Sequence, residues 1–136
     1  MSPKHRILVI DDEPIYHKMV AHAIKSLGCE LDFANGGEQG LRAIQMNNPD
    51  LIITDVVMPD MTGYEITQKI RQNRRFAQTP ILILTSQTDL GDRLKAFEAG
   101  ADDYMSKPFE PSELIARVGV LLRRKEALES TTVSPS

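Results

Sequence analysis

The sequence predicts an α/β fold: a doubly wound (βα)5 three-layer sandwich around a parallel five-stranded sheet. Three observations lead there. Short runs of branched aliphatic residues recur at wide spacing, segments of helical period lie between them, and 136 residues is the usual size of one domain. Continuous apolar runs suit strands covered on both faces, the condition of a parallel sheet.

The first strand is Ile7-Leu-Val-Ile10. A helix follows from Pro14, whose fixed φ suits a first helical turn. Ile15, Met19, Val20, Ala23, Ile24 and Leu27 form one apolar face of it, and Gly28 is its expected stop. The second strand, Glu30-Leu-Asp-Phe-Ala34, alternates polar and apolar side chains as a half-exposed edge strand does. Its helix spans Glu38 to Met46, with Leu41, Ala43 and Ile44 as apolar positions, and ends at Asn47-Asn48-Pro49. After the third strand, Leu51 to Ile53, Thr62-Gly-Tyr-Glu65 reads as a capping box that opens a helix through Ile66 and Ile70. The fourth strand is Ile81 to Leu84, and its helix runs from about Asp89 through Leu94 and Phe97 to Gly100. A weaker fifth strand at Tyr104-Met105 precedes a helix from Pro111 carrying Leu114, Ile115, Val118, Leu121 and Leu122 on one face.

Residues 1–125 are expected to form the domain and 126–136 a C-terminal helix extension with a flexible tail or linker, because Ser130-Thr-Thr-Val-Ser-Pro-Ser136 has a tail's composition. With 41% hydrophobic and 26% charged residues, global disorder and fibrous architectures fall away. Sixteen basic against nineteen acidic residues, a net charge of −3, give no basic footprint, so direct nucleic-acid binding is not expected. The triplet Arg123-Arg-Lys125 is explained by the preference of cations for helix C-termini. A lone Cys29 excludes an intramolecular disulfide and a multi-thiolate metal site, and reads as an apolar filler in a reducing compartment. His5, His17 and His22 are too scattered for a metal cluster and read as surface residues. No signal-peptide region or bilayer-length apolar stretch occurs, so the expectation is a cytoplasmic protein without membrane contact.

In an open α/β sheet, ligands bind beyond the carboxyl ends of the strands, where strand order reverses. The first strand ends in Asp11-Asp12-Glu13, the third in Asp55 and the fourth in Thr85-Ser86, and the fifth is followed by Lys107-Pro108. Every polar candidate falls on one edge. For strand order 2-1-3-4-5, Asp11, Asp12 and Asp55 converge across the switch point. Three such carboxylates repel by roughly 4 kcal/mol per close pair at an effective dielectric of about 20, which a divalent cation offsets best. Oxygen-only donors favour Mg²⁺ over zinc, and Mg²⁺ leaves room for a phosphoryl oxygen. Asp55 can then attack, Lys107 neutralise and Thr85 donate a hydroxyl. Lys107 is expected to pair with Asp55 when no phosphoryl group is present.

Taken singly, each residue has a duller explanation. The Asp doublet could cap a helix, Asp55 could be an Asx-turn residue, and Thr85 a strand-end hydroxyl. Four strand ends placing compatible groups on one edge decide for function.

On these residues the chain resembles the receiver (response-regulator) domains of two-component signalling. The matching text is Ile7-Leu-Val-Ile-Asp-Asp-Glu-Pro14, Asp50-Leu-Ile-Ile-Thr-Asp-Val-Val-Met-Pro59 with Gly63, Pro80-Ile-Leu-Ile-Leu-Thr85, Gly100-Ala-Asp-Asp-Tyr104 and Lys107-Pro-Phe109. The resemblance implies a flavodoxin-like, CheY-like sheet of order 2-1-3-4-5 and a phosphorylation-dependent switch. By it Asp55 is the phosphoacceptor, Asp12 and Asp55 ligate Mg²⁺ directly, Asp11 acts largely through water, and the Val57 carbonyl is a third protein ligand. Thr85 and Lys107 contact the phosphoryl oxygens, Lys107-Pro108 is a cis peptide, and Tyr104 is the switch aromatic that turns inward as Thr85 moves.

The implied donor is a sensor histidine kinase or phosphotransfer protein, and the implied reader an output domain or downstream protein. Arg93, Asp103, Glu113 and Arg117 resemble positions through which the DNA-binding branch forms symmetric dimers, although Gly119 stands where a lysine is usual. A plain solvated surface is the alternative. Ser86 replaces the commonest alanine, and Val57 and Gln87 occupy variable positions that tune phosphate lifetime. Such a domain is no turnover enzyme: it catalyses only its own phosphorylation and dephosphorylation.

Two other readings compete. A small Mg²⁺-dependent phosphatase of the haloacid-dehalogenase type carries its nucleophile in Asp-x-Asp after the first strand and usually a cap domain. A docking module that ignores phosphate is opposed by the intact Asp12, Asp55, Thr85 and Lys107.

Overall fold

Five apolar runs pair into one parallel sheet. In the structure, a computed structural model that describes residues 4–133, the strands are β1 (Arg6–Ile10), β2 (Glu30–Ala34), β3 (Leu51–Thr54), β4 (Ile81–Thr85) and β5 (Asp103–Ser106). They lie in the order β2-β1-β3-β4-β5, every pair parallel. The helices are α1 (Pro14–Ala23), α2 (Gly37–Asn47), α3 (Gly63–Gln72), α4 (Leu90–Ala99) and α5 (Pro111–Val133).

Strand side chains alternate between two cores, which makes the sandwich three layers thick. Leu8, Ile10, Ile52, Ile81 and Ile83 pack with Ile44 of α2, Ile66 and Ile70 of α3 and Ala96 of α4. Ile7, Val9, Leu51, Ile53, Leu82 and Leu84 pack with Val20 of α1 and Leu114, Val118 and Leu121 of α5. Each fully buried isoleucine or leucine contributes roughly 2 kcal/mol, so the central strands hold the molecule together and leave the loops at their carboxyl ends free for chemistry.

The structure corrects or sharpens the sequence reading at four points. The first helix does not run to Leu27: α1 ends at Ala23, and a 3₁₀ turn over Lys25–Leu27 closes on Gly28, whose φ of 68° is left-handed. The bonds Leu27 N–H to Ile24 O and Gly28 N–H to Lys25 O tighten that last turn. Ile15, assigned to the apolar face, is 57% exposed, because its turn stands at the carboxyl edge of the sheet with no layer above it. On α4 the inward residues are Ala96 and Ala99, while Leu94 and Phe97 are exposed; close approach to the sheet selects the small side chains. Lastly, α5 stays helical through Val133, so 130–133 is not a loose tail; the chain has no helix breaker there before Pro135. The remaining tail, 134–136, lies outside the described residues.

Thr62 forms the expected capping box: its Oγ1 accepts from Glu65 N–H, and the Glu65 carboxylate accepts from Thr62 N–H. Cys29 is half-buried beside the α1/α5 core, and burial pushes its thiol pKa up.

One cap comes from far along the chain. Gly36 begins α2 without a side chain to cap it, and Asp60 supplies the carboxylate: its oxygens accept from Gly37 N–H at 2.9 Å and Glu38 N–H at 2.8 Å. These bonds hold the Asp60 carboxyl below its ordinary 3.8. A depressed carboxyl stabilises above its unfolded pKa and loses that contribution as pH falls through the folded value. Asp60→Ala is therefore expected to melt below the unsubstituted protein at pH 7. In melting curves followed by circular dichroism the gap should close as pH drops below 3.8, and a gap that persists there removes the capping explanation.

Candidate functional site

The sheet ladder runs one residue past the strands. Asp11 N–H bonds to Ala34 O and Asp55 N–H to Ile10 O, both at 3.0 Å, so two aspartates leave neighbouring strands at the same level. Both are buried, and Asp12 beside them is exposed. One carboxylate oxygen from each of Asp11, Asp12 and Asp55 lies within 4.8 Å of the other two.

Lys107, on the loop after β5, closes the cluster. Its Nζ donates to Asp11 Oδ2 at 2.7 Å, to Asp55 Oδ2 at 2.8 Å and to Glu13 Oε2 at 3.3 Å. The other oxygens are held by the backbone: Asp11 Oδ1 accepts from Glu13 N–H at 2.9 Å and Asp55 Oδ1 from Val56 N–H at 2.6 Å. The Asp55 bond reaches only the next residue and is not the Asx-turn contact, in which a carboxylate accepts from the N–H two residues on. The doublet does not cap α1: the residue at that position is Glu13, which makes no side-chain cap bond.

Two buried carboxylates share one buried ammonium, 2.7 Å from Asp11 and 2.8 Å from Asp55. Burial raises the Asp11 pKa, and the bonds from Lys107 and Glu13 N–H only partly offset that. Burial alone would lower Lys107, but its bonds to Asp11 and Asp55 outweigh this and lift it above its ordinary value. The cluster stays short of positive charge. An all-oxygen donor set, compact and negative after its internal ion pairs, fits Mg²⁺.

Thr85 is buried at the end of β4; its Oγ1 accepts from Gln87 N–H at 3.2 Å, and its carbonyl accepts from Lys107 N–H at 2.8 Å. Val57 lies exposed in the loop after Asp55, as does Ser86 after Thr85. Lys107-Pro108 is cis. Tyr104 sits inward on β5, buried, and its hydroxyl has no hydrogen-bond partner among the described residues. Arg93 of α4 lies 5.9 Å over that ring. The other charges of this face are paired within the chain: Arg117 reaches Asp103 at 2.7 Å and Glu113 at 3.1 Å.

Three neighbours escape sequence reasoning. Glu13 is a third partner of Lys107, and the Tyr16 ring centroid lies 3.9 Å from its Nζ. His17 is not merely a surface residue: its Nε2 lies 2.8 Å from the Asp11 carbonyl oxygen, and its ring stacks on Phe33 at 5.0 Å. The available signal was position, since both aromatic residues fall in the first turn after the acidic run.

Residues 7–119 match the family described as response regulator receiver domain. The chain belongs to that family. Receiver domains are the phosphorylation-dependent switches of two-component systems, and the match spans most of this one. The receiver is 37% identical over 123 residues to the DNA-binding dual master transcriptional regulator RpaA of a Synechocystis species, covering 90% of this chain and 51% of that protein. It is 38% identical over 123 residues to the DNA-binding response regulator MtrA of Mycolicibacterium smegmatis, covering 90% of this chain and 53% of that one. The chain thus spans about half the length of the curated relatives it matches.

Among solved structures, the chemotaxis response regulator CheY4 of Vibrio cholerae superposes with a TM-score of 0.82 at 32% identity, over 88% of this chain and 99% of that one. The BeF3-activated receiver domain of DrrB gives 0.81 at 36%, over 89% and 99%. The receiver is a signalling protein, and the phosphatase reading is not favoured. Among the described residues, no helix is long and apolar enough to cross a membrane.

Proposed function

We propose that Asp55 accepts a phosphoryl group from a phosphohistidine on a sensor kinase or phosphotransfer protein, in a site where Asp11, Asp12, Asp55 and the Val57 carbonyl hold Mg²⁺. The observation that carries this is the Lys107 ammonium bridging the two buried carboxylates, 2.7 Å from Asp11 and 2.8 Å from Asp55. A carboxylate oxygen of Asp55 forms the new P–O bond as the donor's P–N bond breaks. The imidazole nitrogen keeps that electron pair and takes a proton from water. Lys107 follows the charge onto a phosphoryl oxygen while Asp11 retains it. The Thr85 hydroxyl already accepts from Gln87 N–H, which leaves its own proton free to donate to the phosphoryl group. When bound, Mg²⁺ supplies the positive charge that the cluster lacks. Attack by water on phosphorus breaks the P–O bond to Asp55, restores its carboxylate and releases inorganic phosphate, so the domain catalyses only its own phosphorylation and dephosphorylation.

Moving Thr85 toward phosphate gives up its bond to Gln87, at the head of the loop leading to α4. A contact that exists only with phosphate bound biases a two-state element. The face of α4, β5 and α5, with Arg93, Asp103, Glu113 and Arg117, carries the result to an output domain, a downstream protein or a second copy of the chain. Relatives twice as long with DNA-binding names support an output domain joined to the receiver. In this reading residues 1–125 are the receiver and 126–136 the connection, in the cytoplasm.

The test is intact-mass analysis after incubation with Mg²⁺ and acetyl phosphate. We expect a single added HPO3 unit, stable in acid, labile in alkali, mapped to the peptide containing Asp55 and absent in EDTA. An adduct on another residue, or sustained turnover of phosphomonoesters, overturns the proposal.

A further inference from the structure

A lysine presents its charge at the end of a flexible four-carbon stem, so an ammonium that must meet a transferring phosphoryl group has to be pinned. Two of the pins on Lys107 are the carboxylates of Asp11 and Asp55. Glu13, whose carboxylate is exposed, adds a longer contact at 3.3 Å, and the remaining pin is uncharged. Its Nζ lies 3.9 Å from the centroid of the Tyr16 ring, well inside the distance of about 6 Å at which a ring face attracts a cation. The Lys107 side chain is 3% exposed, so this contact is made out of water, where it is strongest. Among the described residues the other cation–ring pairs are looser, at 5.0 Å for Arg75 on Phe76 and 5.9 Å for Arg93 on Tyr104. Tyr16 reaches the site because Pro14 starts α1 directly after the acidic run, and the bond from Tyr16 N–H to Glu13 O, 3.0 Å, folds the first turn back over the cluster.

Resting on the phosphoryl reading above, we propose that Tyr16 is a positioning residue of the receiver: its ring face holds the Lys107 ammonium at the acidic edge while Asp55 changes from carboxylate to acyl phosphate. That change removes the charge of one pin at the moment the lysine is needed. Asp11, the more distant and exposed Glu13 and the Tyr16 face remain, and they confine Nζ to the side on which the phosphoryl oxygens arrive. Tyr16 itself touches no reacting atom.

The experiment compares the unsubstituted protein, Tyr16→Leu and Tyr16→Phe, each with Mg²⁺ and acetyl phosphate. The initial rate of adduct formation is measured across donor concentrations, and the Lys107 ε-methylene shift is read by NMR. Tyr16→Leu is expected to lower the saturated rate roughly tenfold with little change in the half-saturating donor concentration. It should also remove the upfield ring-current shift of the Lys107 methylene. Tyr16→Phe keeps the ring face and is expected to restore both relative to Tyr16→Leu.

A folded Tyr16→Leu protein that takes up phosphate at the unsubstituted rate overturns the proposal. So does a Tyr16→Phe protein as slow as Tyr16→Leu. If Tyr16→Leu does not fold, Tyr16→Met, which fills similar space without a ring face, is judged by the same criteria. Asp55→Asn is run alongside. An adduct that survives there sinks the phosphoacceptor assignment instead, whereas its loss there with unchanged Tyr16→Leu kinetics sinks the Tyr16 role alone.

Discussion

Asp55→Asn is expected to take up no phosphoryl group from acetyl phosphate and to keep its fold. The amide oxygen carries no charge and cannot replace a carboxylate as nucleophile, so the rate should drop by at least about 10⁴-fold, the order seen when a nucleophile is removed. The fold has no reason to fail. Asparagine keeps an oxygen to accept from Val56 N–H, and Lys107 keeps Asp11 at 2.7 Å and Glu13 at 3.3 Å. No buried charge is left without a partner, the circumstance that makes breaking a buried ion pair costly. The substitution also removes one of two crowded carboxylates, and the Asp55 charge is among the causes that raise the Asp11 pKa. Without Mg²⁺ the variant should therefore melt at or above the unsubstituted protein, by up to about 1 kcal/mol. Adding Mg²⁺ should stabilise the unsubstituted protein more, because binding to the native state alone stabilises it. A variant that is phosphorylated at a comparable rate, or that gains as much from Mg²⁺, contradicts the assigned cluster.

Much of this arrangement is legible in the chain because strands buried on both faces have no room for polar residues. The runs at Ile7, Leu51 and Ile81 announce themselves, and the polar residues just after each (Asp11, Thr54-Asp55 and Thr85) mark the carboxyl edge. Asp11, Asp55 and Thr85 are found by that rule alone, and the structure brings all three to one end of the sheet. The rest depends on how layers lie over one another. Helical period shows that α1 has an apolar side, and says nothing about where the sheet stops beneath it, so Ile15 looks like core and is exposed. The contacts of Tyr16 and His17 arise from the pitch of that same first turn across the acidic cluster. Asp60 caps a helix 23 residues earlier, a distance over which no local pattern carries information. A Ser/Thr-rich end reads as a tail by composition, yet without a glycine or proline the helix before it simply continues to Val133.

Gly63→Ala is expected to be the most damaging small change in the chain. Gly63 opens α3, and its N–H bonds to Val56 O at 2.9 Å, so the loop after Asp55 is folded directly against the helix start. A Cβ there would stand 2.2 Å from the Asp55 carbonyl oxygen, 3.0 Å from its carbon and 3.1 Å from Val56 Cα. All three are backbone atoms, which cannot rotate aside as a side chain can, so either α3 or the loop after Asp55 must move. Overpacking of this kind costs about 3 kcal/mol, a large share of a domain's total stability. The same substitution at Gly119 of α5 meets nothing nearer than the tip of Arg123 at 3.5 Å, and there Ala should stabilise by about 1 kcal/mol through helix propensity alone. Urea denaturation of the two variants separates a clash from a generic effect of adding a methyl group, because the signs are opposite. Activity separates them again: what remains folded of Gly63→Ala should phosphorylate slowly, since the atoms displaced belong to Asp55 itself, whereas Gly119→Ala should not differ from the unsubstituted protein. If Gly63→Ala melts with the unsubstituted protein, the loop yields without cost, and the backbone at Asp55 is not the rigid support that places its carboxylate.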